Sequence, residues 1–286
     1  MATSAILGLQ HASHGVEEAR HRTQTGLRVE RASDDPNAAS SIMSSAASLR
    51  ALDQYQRNIN SATVRSNTEE EVLDKLSVAL ARAKQIGIQE GSSTGSAQTR
   101  LVAKAEIDQL LAFAIQLANT RHEGEYLFGG DQSGTPPITQ STPPFTASPP
   151  TGQRRAEISE SLTIDVNHNA TQIFLSSSVL ASLDQLSQAL GANDQLAIQN
   201  SINTIDTGHG VVQTLLGDVG AQTNRLETAT QNIVALDATL KTFKSNLQDI
   251  NLEEAVTTLV NKQNAYQSAL LATSHVINLS LADYLR

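Results

Sequence analysis

Between residues 52 and 83, apolar side chains recur at spacings of three and four. Leu52, Tyr55, Ile59 and Ala62 are followed by Leu73, Leu76, Leu80 and Ala83, and Ser66 and Glu69 fill the gap in frame. A seven-residue apolar period of this length draws one seam along one side of a long helix. Such a seam needs a partner helix of similar length, and the chain supplies one. After the Gly- and Ser-rich loop QEGSSTGSAQ, residues 89–98, a second stripe runs through Ala103, Ile107, Leu110, Ala114 and Leu117. Two helices joined by so short a loop pack antiparallel.

The start of the first long helix is legible in RASDDPNAAS, residues 31–40. Asp35 is a natural N-cap, and Pro36 fits the first helical position, where its missing N–H is not needed. Asp34 adds negative charge near the positive end of the helix dipole. Residues 1–30 read as a weaker helix of small and polar residues.

The character of the chain changes at EYLFGG, residues 125–130. Aromatic residues make up 3% of the sequence, yet Tyr126 and Phe128 stand two positions apart and Gly129 and Gly130 follow at once. The reading is a helix exit: two rings pin the helix end, and the glycines let the backbone turn out of the bundle. From 129 to 152, the pairs Pro136–Pro137, Pro143–Pro144 and Pro149–Pro150 exclude helix. The stretch 131–152 carries no apolar stripe, so the bundle is expected not to need it. AEISESLTIDVN and TQIFLS read as strands, with NHNA a turn between them.

Helix then resumes. Val179, Leu183, Leu186 and Leu190 lead to a break at Gly191–Asp194. Ile198, Ile202, Ile205, Val212, Leu216 and Val219 hold the spacing again, and after a one-residue shift so do Leu226, Ile233, Leu240, Leu247 and Ile250. Gly208, Gly210, Gly217 and Gly220 each weaken this helix by about 1 kcal/mol relative to Ala, so bending is expected there. The fold class is mainly α with a small β-rich insertion, a long antiparallel helical bundle formed by both chain ends. The expected domains are nested: terminal helices 1–40 and 252–286, a bundle of 41–124 and 179–251, and a β-rich unit of 125–178.

The last 20 residues carry only Asp283 and Arg286 as charges. Leu270, Leu271, Val276, Ile277, Leu279, Leu281 and Leu285 leave no clean polar face. A helix apolar on several sides must be buried on several sides. The first 30 residues are too little partner, so the ends are expected to be poorly ordered alone and to fold on assembly. The competing reading is a helical hairpin packed back on its own bundle. Leu270, Ile277, Leu279, Leu281 and Leu285 are the expected assembly contacts.

Composition narrows the function. Lys and Arg total 20 against 29 Asp and Glu, a net charge of −9, with no basic run. That argues against nucleic acid as a partner. No Cys is present, which removes disulfides, thiolate catalysis and Cys-ligated zinc. No secretory signal and no membrane span is read. Asp34–Asp35 is explained by capping. His11, His14 and His21 share a helical face without a further ligand. RHEGEY, residues 121–126, lacks the second His of a zinc-protease motif. Arg154–Arg155 reads as a solvated strand edge. No nucleophile, base and orienter come together, and no catalytic, cofactor or metal site is expected.

RASDDPNAASSIM resembles the N-terminal signature of the flagellin superfamily, and EEAVTTLVNKQNAYQSALLATSHVINLSLADYL resembles its C-terminal end. EYLFGG, the segment RRAEISESLTIDVNHNATQIF and LGDVGAQTNRLE are similar to the hook–filament junction branch of that superfamily. Ser161 and Ala170 stand where that branch usually has Gly, and Gln222 where it has Arg. The resemblance implies a structural subunit of the flagellum, exported unfolded through the flagellar type III channel. It implies hook-associated protein 1 and flagellin as partners, lateral contacts between copies, and an export chaperone. The alternatives are a short flagellin that forms the filament itself, and a secreted effector that borrows flagellin-like ends for export.

Overall fold

The computed structural model describes residues 2–92, 95–146 and 149–284, with side chains up to His275 except those of Ala2 and Ala5. In chain order the elements are α1 (Ala2–Thr25), α2 (Pro36–Glu90), α3 (Ala97–Ala118), β1 (Arg121–His122), β2 (Glu125–Tyr126), β3 (Arg155–Ser159), β4 (Leu162–Asp165), α4 (Val179–Gly191), α5 (Gln195–Gln248) and α6 (Leu252–Tyr284). They form two compact units: Met1–Ala51 with Ala235–Arg286, and Leu52–Val234.

In the unit Leu52–Val234 the seam of α2 is buried as its spacing predicts. Leu73, Leu76, Leu80 and Ala83 pack with Ile107 and Ala114 of α3, Leu183 and Leu186 of α4, and Ile198, Ile205, Val212 and Val219 of α5. In α3 the core position falls on Leu111, while Leu110 is only half-buried. Helices α2 and α3 run antiparallel, tied by Arg82 Nε to Glu106 Oε1 at 2.7 Å. At one end Arg100, 6% exposed, holds two loops together. It donates to the Glu90 and Ser92 carbonyls at 3.1 and 3.2 Å and to Asn193 Oδ1 at 2.6 Å. Ser96 caps α3 in a capping box with Thr99, and Asp194 accepts from the Leu196 and Ala197 amides at 3.0 Å at the start of α5.

The insertion departs from its sequence reading in three places. AEISESLTIDVN is a β3–β4 hairpin that turns at Glu160–Ser161, not one strand. Its polar SES triple interrupts the alternation and supplies the turn. TQIFLS is a single π-helical turn, Thr171–Leu175, and not a strand. Its wide turn brings Ile173 and Phe174 into the core together. The Pro-rich stretch is packed after all: Ile138 and Phe145 are buried in the main core. Asn119, just past α3, bonds Ile138 twice, through its amide to the carbonyl at 2.8 Å and from the Ile138 N–H at 3.0 Å.

Helix α5 is continuous through its four glycines. Gly208 has a packing reason, since a Cβ there would meet the Ser177 carbonyl at 3.2 Å; Gly210, Gly217 and Gly220 face open space.

In the other unit α1 and α6 lie against each other. The loops that follow α1 and α5 are laced by the Leu27–Asp249 bridge and by the Arg28 and Ile250 amides, which donate to Gln248 and Gly26 carbonyls at 2.6 and 3.0 Å. Val29, Ala38 and Ala39 make a small core there. The helical pair leaves much apolar surface bare, with Leu7 62%, Leu252 59% and Leu271 67% exposed.

Candidate functional site: the insertion root and the helix ends

The chain leaves α3 at Asn119, passes through the β1–β2 hairpin and enters EYLFGG. Of the two rings, only Phe128 is an anchor. It is fully buried with Leu127 and meets Phe174 edge to face at 5.7 Å. Tyr126 does not share that task. Its half-buried ring lies under the Arg121 guanidinium at 4.5 Å, and its hydroxyl accepts from Arg121 Nη2 at 2.8 Å. Leu127, unremarked in the sequence, is the second anchor. Both glycines are required sterically. Gly130 has φ +55°, and a Cβ on it would meet the Thr151 carbonyl at 2.1 Å; one on Gly129 would meet Ser133 Cα at 2.9 Å.

Beneath the motif, α2 presents polar residues where its seam seemed merely interrupted. The Leu127 carbonyl accepts from Arg65 Nη2 at 2.8 Å and from Asn167 Nδ2 at 3.0 Å. Glu69 is fully buried, and one of its oxygens accepts from both the His168 ring, at 2.7 Å, and the His168 amide, at 3.1 Å. That bond raises the His168 pKa above its ordinary value, against the opposing effect of burial. Burial lowers the Arg65 pKa. The NHNA segment is thus not a turn between strands but the strap that fastens the insertion to α2. The hairpin is clamped at both edges by amide side chains: Asn58 donates to the Glu157 carbonyl at 2.8 Å, and Gln222 to that of Asp165. These contacts occupy edge carbonyls that would otherwise be free to pair with another strand.

At the helix start, Asp35 caps α2 as expected and Pro36 is its first residue. Asp35 Oδ1 accepts from the Ala38 amide at 3.0 Å, and Oδ2 meets Arg28 at 3.2 Å. Arg28 in turn donates to the Leu247 carbonyl at 2.8 Å. Asp34 acts on the preceding loop and not on the helix: it accepts from the Glu30 and Arg31 amides at 3.1 and 2.8 Å. Backbone amides hold both carboxyls below the ordinary range. Leu270 is 42% exposed on α6. The side chains of Ile277, Leu279 and Leu281, and all of Leu285, lie outside the described residues.

Among the described residues no three metal-ligating side chains converge, and no helix is long and apolar enough to cross a membrane. Arg154 and Arg155 are paired, with Glu125 at 2.6 Å and Asp165 at 3.0 Å.

Helical segments at both ends of the sequence flank one inserted unit, and this chain belongs to the flagellin family. Residues 1–133 match the bacterial flagellin N-terminal helical region and residues 202–285 the C-terminal helical region. Within that family the chain is similar to flagellar hook-associated protein 3 of Escherichia coli, 25% identical over an alignment that covers 90% of this chain and 89% of that one. It is also 22% identical to a flagellin of Halalkalibacterium halodurans, over 91% of this chain and 88% of that one. The flagellar junction protein FlgL of Legionella pneumophila shares the fold, with a TM-score of 0.60 and 16% identity; it covers 72% of this chain and all of its own.

Proposed function

We propose that this chain is the structural subunit that joins the flagellar hook to the filament. The observation that carries this is the match to hook-associated protein 3 along about nine-tenths of both chains. The EYLFGG segment, which resembles that of the junction branch, supports it by forming the fastened root of the insertion. On this reading the chain performs no catalysis. It travels unfolded through the flagellar type III channel, helped by an export chaperone, and works outside the cell. One face meets hook-associated protein 1, the other meets flagellin, and copies contact one another laterally. Contacts of that kind are heterologous and continue around a ring or helix.

The flagellin relative, matched over a similar share of the chain, favours a second reading as a filament subunit. Co-purification with hook-associated protein 1 separates the two. The junction subunit retains it in a pull-down, and a filament subunit does not.

A further inference from the structure

We propose that Glu69 and His168 form a proton-operated latch that fastens the root of the inserted unit to α2. Glu69 is enclosed completely in the interior, and its Oε1 holds both the ring and the backbone amide of His168. Its other oxygen, Oε2, has no hydrogen-bond partner among the described residues, nor do Arg65 Nε and Ser66 Oγ one turn away. A buried carboxylate satisfied on one side only depends heavily on the charge state of what satisfies it. The charged groups that act on the His168 ring are Glu69 from α2, Asp165 at the end of β4 and Asp218 from α5, all of them carboxylates. Arg65 is a counter-charge near Glu69 but does not hydrogen-bond it: its Nη2 donates to the Leu127 carbonyl, and its Nε has no partner among the described residues.

His168 is bracketed by the other fastenings of the insertion. Asn167 reaches the Leu127 carbonyl and receives the Arg154 amide at 3.0 Å, and the Ala170 amide donates to the Phe128 carbonyl at 2.9 Å. Loosening His168 therefore loosens the strap that leads out of β4. The direction follows from the fold raising the His168 pKa. A group of that kind stabilises fully below its unfolded value of about 6.5, and the contribution is lost as pH rises through the folded value. The latch is closed below the ordinary His value and slackens as pH rises through the raised folded value. This holds wherever in the flagellum the chain stands.

Amide hydrogen exchange of residues 155–166, corrected for the intrinsic pH dependence of exchange, tests the latch alongside an NMR titration of the His168 ring. In the unaltered protein, protection of the hairpin should fall several-fold as pH rises through the His168 midpoint, tenfold for each unit of its upward shift. His168→Gln keeps the backbone bond and an amide donor but cannot titrate, so its protection should not change with pH. Glu69→Gln should bring the ring midpoint down to the ordinary value or below. A His168 midpoint at or below the ordinary value in the unaltered protein overturns the proposal, even if either variant misfolds. So does a His168→Gln profile that falls with pH as the parent's does.

Discussion

Tyr126 and Phe128 look equivalent in the sequence, and burial separates them. Phe128→Ala removes a fully buried ring and its contact with Phe174, so it should destabilise by about 3–5 kcal/mol. Tyr126→Ala removes a half-buried ring with one guanidinium over it, and it should cost about 1 kcal/mol or less. Denaturant melts of the two variants compare them, and equal losses would show that the rings act as a pair. Asp35 was readable because capping is local chemistry, decided by a few neighbouring residues. Its partnership with Arg28 was not, because that depends on the loops after α1 and α5 meeting. Asp35→Ala should lower the melting temperature more than Asp74→Ala, a change at an exposed position of the same helix. Its folded-state pKa is depressed, so the difference should be present at neutral pH and vanish as pH falls through that value. Ser66 and Glu69 illustrate the opposite limit. As polar residues in frame with a seam they looked like interruptions, and only the fold shows that both are fully buried and that Glu69 bonds His168 of the strap.

Among the elements, the long helices were the most legible, because a seven-residue period repeated over four or more turns leaves no competing interpretation. The insertion was the least. A short segment such as TQIFL, with three apolar residues in a row, is compatible with a strand or a helical turn, and β-branching does not decide when Asn169 offers its side chain to the Gln172 amide. The Pro-rich stretch misled for another reason: two isolated residues, Ile138 and Phe145, carry its packing, and two residues make no period. Deleting 131–152 should therefore lower the stability of the bundle. Each lost side chain contributes about 1.5–3 kcal/mol of burial. A deletion variant that melts with the parent would mean the stretch rests on the core without stabilising it. Gly130→Ala should be more damaging than Gly129→Ala, since it adds a strained φ to a closer clash.

At the scale of the molecule, the terminal helices pair with each other and leave large apolar side chains exposed, and on the proposed reading neighbouring copies cover them. Limited proteolysis of the dilute monomer should accordingly strip the ends first and leave a fragment of roughly 41–250, as weakly packed segments open most often. Leu270→Asp should leave the helical content of the monomer unchanged and abolish its incorporation, because an unpaired charge in a dry contact costs several kcal/mol per subunit. A junction subunit and a filament subunit differ most directly in where the protein is found. Immunogold labelling of intact flagella, with an antibody raised against the inserted unit, should give a single narrow band at the distal end of each hook. Label distributed along the filament would contradict the junction assignment and make the chain a filament subunit.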